Sequence, residues 1–125
     1  MAPRGVDDKQ QIGLTAETDE KLKIIAERYF GGREADVYRF AIAFAIANNL
    51  EFDGSTGKFE TKFNAMGTLD IDQKIRMLLT VLQVGDQDRP YATAEKLAEA
   101  GVIKMARMLD AGASFADLIQ ASKTE

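Results

Sequence analysis

Five polar or basic side chains have the chemistry to contact DNA. Lysine and glutamine can hydrogen-bond to guanine and adenine edges in a major groove, while lysine and arginine neutralise backbone phosphates. The candidates are Lys9, Gln11, Arg33, Lys58 and Lys62. Their residue types predict DNA contact, provided that the fold presents them to solvent.

The pattern of residues 10–14 predicts a short strand that contains Gln11, and Lys9 directly precedes it. Two apolar residues would lie on one side of it, and Lys9, Gln11 and Gly13 would project from the other. If two copies of this strand paired antiparallel, the outward side chains would enter a major groove. The alternative is an edge strand that packs on its own domain.

The other three candidates have neighbours that would assist them. Arg33 follows two glycines at the expected start of a helix, where unpaired N–H groups favour a phosphate. Lys58 and Lys62 each precede a phenylalanine, a composition found in loops that contact nucleic acid. Both patterns also fit ordinary structure, namely a plain helix start and a strand whose phenylalanines enter the core.

The composition excludes several classes of active site. The 125 residues contain no cysteine and no histidine, which rules out disulfides, thiolate metal sites and Ser-His or Cys-His catalysis. No phosphate-binding glycine loop, nucleophile elbow or calcium loop occurs. We therefore predict no catalytic residues, no metal and no cofactor, and expect that the protein is not an enzyme.

The charge is acidic overall, with a net charge of −4 and a pI near 4.9, which argues against a generally polyanion-binding surface. The first 50 residues are closer to neutral, with seven Lys/Arg against eight Asp/Glu, so a local basic patch is compatible with the whole. No apolar run approaches membrane-spanning length, and the N-terminus lacks the apolar core of a signal peptide. We expect a cytoplasmic protein without membrane contact.

Local signals predict two helices after the strand. Thr15 is placed to cap the first helix, Gly31 and Gly32 to end it, and the second helix begins near Arg33. Residues 40–47 of the second helix are eight consecutive apolar residues, a pattern typical of a helix that is buried on all sides. We predict that a second subunit helps to bury it, with an interface formed by Phe40, Ile42, Phe44 and Ile46.

The rest of the chain predicts a loop or hairpin around residues 54–57, with a short strand near 59–63. An apolar stripe predicts a helix over residues 70–84, formed by Ile71, Ile75, Leu78, Leu79 and Leu82. A longer helix over 93–111 contains Gly101, which indicates close helix packing, while Lys104 and Arg107 are typical of its solvated face. Ser114 and Asp117 form a capping box that opens a last short helix.

Two resemblances accompany these patterns. Residues 10–49 resemble the ribbon-helix-helix family, through the strand-helix-helix order and the segment READVYRFAI at 33–42. The whole chain resembles the DndE-type proteins of bacterial DNA sulfur modification (phosphorothioation) systems. The segments that carry this second resemblance are IGLTAETDEKLKIIAERYFGG, AFAIANNL, KFNAMGTLD, EKLAEAGVIKMARML and SFADLIQ.

Together these features predict a mainly α fold in a single domain of residues 10–121, with a flexible arm at 1–9 and a tail at 122–125. A ribbon-helix-helix-like unit would be followed by the hairpin or loop and further helices. The resemblance implies a non-catalytic accessory protein of a DNA-modification or defence system, which acts with DNA, further copies of itself and other subunits. The alternatives are a ribbon-helix-helix repressor or antitoxin, and an acidic protein-interaction adaptor that binds no nucleic acid.

Overall fold

The computed structural model describes residues 8–51 and 58–123, which form a mainly helical fold with one two-stranded antiparallel sheet. The predicted mainly α class is confirmed. The hairpin turn predicted at residues 54–57, most of the predicted N-terminal arm and the end of the predicted tail lie outside the described residues. In chain order the elements are β1 (Gln11–Thr15), α1 (Ala16–Tyr29), α2 (Glu34–Ala47), β2 (Phe59–Asn64), a π-helical turn (Ala65–Leu69), α3 (Lys74–Val81), α4 (Pro90–Asp110) and α5 (Phe115–Lys123).

The first strand and the helix after it agree with the sequence prediction to within one residue. Thr15 is the N-cap of α1, and its hydroxyl oxygen accepts a hydrogen bond from the N–H of Thr18 at 3.4 Å. Beyond the end of α1, Gly31 and Gly32 adopt φ values of +62° and +85°, which residues with a Cβ rarely adopt. The predicted cap and the predicted helix stop are both confirmed.

α2 lies at the centre of the fold, where it packs against α1, α4 and α5. Ile42 and Phe44 are buried, Phe40 and Ile46 are partly buried against the core, and Ala43 is exposed. The amphipathic helices of the chain itself therefore cover most of the apolar surface that the sequence assigned to a second subunit. Whether the protein forms an oligomer stays a prediction, but Ile42 and Phe44 are not at the surface.

The strand predicted near residues 59–63 is present as β2, and it pairs with β1. Gln11 lies opposite Asn64, and a bulge separates Ile12 from Gly13. A Cβ at Gly13 would lie 1.7 Å from the carbonyl oxygen of Glu60, so the two backbones approach too closely for any other residue. Gly13 is therefore buried within the sheet. The outward position that simple alternation along the strand predicts for it is wrong.

The helix predicted over residues 70–84 is shorter, because a π-helical turn and a bend precede α3. Asp70 lies at this bend, and its carboxylate accepts hydrogen bonds from the N–H groups of Ile75 at 2.8 Å and Arg76 at 3.1 Å. The hydroxyl of Tyr91 donates to the same carboxylate at 2.7 Å. Asp70 thus caps α3 and connects it to the first turn of α4.

Much of the apolar stripe on this helix faces solvent. Leu79 is buried and Ile75 is partly buried, whereas Ile71, Leu78 and Leu82 are exposed. α3 packs mainly against α4, so one face of this short helix is enough to join it to the core.

α4 begins at Pro90, three residues earlier than predicted, because a distant carboxylate caps it. Asp8 accepts hydrogen bonds from the N–H groups of Tyr91 at 2.7 Å and Ala92 at 3.0 Å. These are helix N-terminal donors that would otherwise have no intrahelical partner. The N-terminal end of the described chain therefore fixes where α4 starts.

Two local predictions for the C-terminal part are confirmed. A Cβ at Gly101 would lie 2.3 Å from the carbonyl oxygen of Ala41, so α4 and α2 pack closely at this point. Ser114 and Asp117 form the predicted capping box: each backbone N–H donates to the other residue's side chain, at 2.9 Å and 3.2 Å.

Among the described residues, no helix is both long enough and apolar enough to cross a membrane.

Replacement of Gly101 by alanine tests the close packing of α2 and α4 through the sign of its effect. Helix propensity alone predicts that Gly101→Ala raises the free energy of unfolding by about 1 kcal/mol. The contact with the Ala41 backbone predicts instead a loss of about 1–3 kcal/mol, because neither backbone can move freely. Urea unfolding of the natural chain and of Gly101→Ala decides between these two predictions. A variant more stable than the natural chain would contradict the close packing of α2 and α4.

Candidate functional site

Side chains close the edge of β1 that does not face β2. The N–H of Gly13 donates to Glu95 Oε2 at 2.8 Å, and the N–H of Thr15 donates to Glu99 Oε1 at 3.1 Å. The carbonyl oxygen of Gly13 accepts a hydrogen bond from the Tyr38 hydroxyl at 2.9 Å. Both glutamates come from α4, where their spacing of four residues places them on one face. This edge is therefore already occupied along residues 13–15.

The two glutamates are buried, so their charges need nearby donors. Glu99 Oε2 accepts hydrogen bonds from the hydroxyls of Thr15 at 2.8 Å and Thr18 at 2.7 Å. Glu95 Oε1 forms an ion pair with Lys9 Nζ at 2.6 Å. Lys9, which the sequence assigned to DNA, thus compensates a buried carboxylate inside the protein.

Removal of the Glu99 carboxylate should be strongly destabilising. Glu99→Ala leaves the Thr15 N–H and two buried hydroxyls without their acceptor, so we expect a loss of about 3 kcal/mol or more in the free energy of unfolding. Glu27→Ala, an exposed position on α1, is the matched control and should change it by less than about 0.5 kcal/mol. Equal losses in the two variants would show that the network contributes little.

Two buried tyrosines lie beside buried carboxylates, Tyr38 near Glu95 and Glu99 and Tyr91 at Asp70. Burial, together with the negative charges of Glu95 and Glu99, raises the pKa of Tyr38 well above its ordinary value. Burial and the hydrogen bond to Asp70 raise the pKa of Tyr91. Both phenols therefore stay protonated in the folded chain at a pH at which an unfolded chain has begun to lose its phenol protons.

Stability should consequently fall in alkaline solution. Above about pH 10 the unfolded chain releases phenol protons that the folded chain retains, so each further rise in pH favours unfolding. We expect the urea midpoint to fall between about pH 9 and pH 11. Tyr38→Phe should show a smaller fall over the same interval, whatever its stability at neutral pH. An identical slope in the two proteins would contradict a role for Tyr38.

Lys62, a second predicted DNA contact, lies between acidic side chains of two helices. Its Nζ is 3.0 Å from Asp19 Oδ1 and 2.5 Å from Glu34 Oε1. Partial burial acts to lower the pKa of Lys62, but the hydrogen bonds and charges of these carboxylates outweigh it and raise the pKa. The ammonium group is therefore neutralised within the fold, where it joins β2 to α1 and α2.

The remaining three predicted contacts are closer to solvent. Arg33 Nε forms an ion pair with Asp36 Oδ2 at 2.9 Å, with most of the arginine side chain exposed. Gln11 is exposed on β1, and Lys58 is exposed without an ion pair to any described residue. No hydrogen bond or ion pair of the described residues joins two of the five predicted side chains. The structure therefore gives no direct sign that they form one surface.

A basic surface is present elsewhere, on the outer face of α4. Of the three acidic residues of α4, Glu95 and Glu99 point inward to β1, and Asp110 is exposed at the C-terminal end of the helix. Lys96 and Arg107 are exposed, and Lys104 is half-buried. None of these three bases forms an ion pair with a described residue. We call Lys96, Lys104 and Arg107 the α4 basic face.

Helix geometry determines how these bases are arranged. Lys96 and Arg107 are separated by about three turns, so they point within about 20° of each other and lie about 16 Å apart along the axis. The direction of Lys104 is rotated by about 80° from that of Lys96 around the helix axis. The sequence pattern predicts a solvated face with Lys104 and Arg107 but does not single out Lys96. The missing information was that Glu95 and Glu99, the acids nearest to Lys96, face the core.

A surface cleft of about 610 Å³ lies near the start of α4. Three of the four charged residues in its lining are engaged within the protein: Asp8 caps α4, Lys9 pairs with Glu95, and Arg76 donates to Gln73 at 3.2 Å. Among the described residues, no group of three or more histidine, cysteine or acidic side chains could hold a metal ion. The absence of catalysis stays a prediction.

Comparison of the chain with protein-family models, with curated proteins and with solved structures finds no match.

Proposed function

We propose that the protein is a non-catalytic accessory component that associates with DNA through the α4 basic face. The observation that supports this proposal is the distribution of charge on α4: two of its three acids, Glu95 and Glu99, are buried against β1, whereas Lys96, Lys104 and Arg107 form no ion pair with a described residue. Bases without an internal partner are free to neutralise phosphates, and release of the bound counterions then drives association.

The size of the α4 basic face sets the expected mode of binding. Its length of about 16 Å corresponds to roughly five base pairs of a duplex, so three bases could follow one stretch of phosphates. About three phosphate contacts give weak binding that does not depend on base sequence and falls with salt. The acidic remainder of the chain would keep other surfaces away from DNA and orient the protein with α4 toward the duplex.

The placement of this component in a bacterial DNA-modification or defence system is part of the same proposal. It rests on the resemblance of the chain to DndE-type proteins. A ribbon-helix-helix repressor would instead read DNA with β1 paired to a second copy. That pairing would have to displace β2 from one edge of the strand, or the glutamates from the other. For this reason we assign the DNA-facing role to α4.

Fluorescence anisotropy with short duplex and nicked DNA, across about 50 to 200 mM salt, tests the proposal. Lys96→Glu/Arg107→Glu should weaken binding and reduce the slope of log K against log salt by at least about 2. The control, Lys23→Glu/Arg33→Glu, changes the net charge by the same amount on other faces. Its affinity for DNA should be closer to that of the natural chain.

The control also separates the two sets of candidates. A loss of binding in the control but not in the α4 variant would place the contact at the N-terminal residues that the sequence singled out. The absence of binding by the natural chain at the lowest salt would overturn the proposal. The second candidate, an adaptor without nucleic-acid binding, would then be preferred, since exposed apolar side chains on α3 offer a surface for another protein.

A further inference from the structure

Five large apolar side chains on and beside α3 face solvent. Their exposed fractions range from 40% to 73%. Met77 and Val81 are turned away from the buried Leu79, and Leu78 and Leu82 lie between these two directions around the helix. Single exposed apolar residues are ordinary, but a contiguous group of this kind in a soluble protein marks an interaction surface. These side chains, which we call the α3 patch, are Ile71, Met77, Leu78, Val81 and Leu82.

We propose that the α3 patch binds the α3 patch of a second copy of this chain, with the two helices antiparallel across a two-fold axis. This proposal does not depend on DNA association, because α3 and the α4 basic face are separate surfaces. It moves the expected contact between copies from α2 to α3. In α2, Ile42 and Phe44 are buried by the chain's own helices, whereas the α3 patch is exposed.

The charges at the two ends of α3 select an antiparallel arrangement. Lys74 begins the helix on the side of the α3 patch, whereas Asp86 and Asp88 follow the other end. An antiparallel pair brings each Lys74 toward the two aspartates of the second copy, and the two-fold axis makes that contact twice. A parallel pair would bring like charges together. The present partner of Lys74 is Asp72 at 3.6 Å, an exposed contact that is easily exchanged.

The area of the α3 patch determines how strong such a dimer can be. A contiguous apolar surface of this kind covers on the order of 500 Å² on each copy. Two of them would bury on the order of 1,000 Å² in total, near the lower limit for a specific interface. We therefore expect a dimer that dissociates on dilution, rather than one required for folding.

Sedimentation velocity of the whole chain from micromolar to millimolar concentration tests the proposal. The natural chain should shift from monomer to dimer over this range, and Met77→Asp and Val81→Asp should weaken dimerisation by at least about tenfold. Ile24→Asp is the matched control: Ile24 is an equally large apolar side chain, 53% exposed on α1, and its replacement should leave dimerisation unchanged. A natural chain that stays monomeric throughout, or a dimer that Val81→Asp does not weaken, overturns the proposal.

A charge exchange tests the antiparallel arrangement itself. Lys74→Asp alone and Asp86→Lys/Asp88→Lys alone should each weaken dimerisation, and the combination of all three changes should restore it. Failure of the combination to restore it overturns the antiparallel pairing. Val81→Asp should leave the salt-dependent binding of DNA unchanged, so failure of this proposal is distinguishable from failure of the DNA proposal.

Discussion

The carboxylates of Glu95 and Glu99 reach from α4 to the backbone of β1, and the placement of the other elements depends on this contact. It satisfies two strand N–H groups that β2 cannot reach, and it sets the rotation of α4 about its own axis. Because a buried carboxylate without donors is very unfavourable, α4 cannot turn away without exposing both glutamates or leaving them unpaired. Once α4 is fixed, Asp70 and Tyr91 fix α3 beside it.

The same contact explains how an acidic protein can carry a basic surface. Two negative charges of α4 are used inside the fold, where threonine hydroxyls, backbone N–H groups and Lys9 compensate them. Lys96, Lys104 and Arg107, which point in other directions from the helix axis, form no ion pair with a described residue. A net charge of −4 therefore describes the whole chain but not the surface that α4 presents. Charge must be counted face by face before it bears on binding.

Sequence alone predicted the features that are determined within a few residues. Thr15, the glycines at 31 and 32, and the Ser114–Asp117 box each act on neighbours no more than six positions away. Residue type and spacing are therefore enough to identify them. The apolar stripe of residues 71–82 was recognised as well, but its pattern is the same whether the helix faces a core or solvent.

The predicted site residues were harder to interpret, because their partners lie far along the chain. Lys9 bonds to Glu95, and Lys62 bonds to Asp19 and Glu34, at separations that no local pattern encodes. A lysine that is neutralised by a distant carboxylate has the same sequence signature as one that waits for a phosphate. The strand partner of β1 and the cap of α4 by Asp8 belong to the same class of information.

The contact between β1 and α4 also has a consequence for synthesis on the ribosome. Glu95 is made 82 residues after Gly13, which at about 5–20 residues per second is an interval of roughly 4 to 16 s. Throughout that interval the donors at residues 13 and 15 have no glutamate to bond. An open strand edge is a template on which another chain can add. The nascent protein is thus most exposed to misassociation before α4 emerges, and the helix that carries the glutamates ends that period.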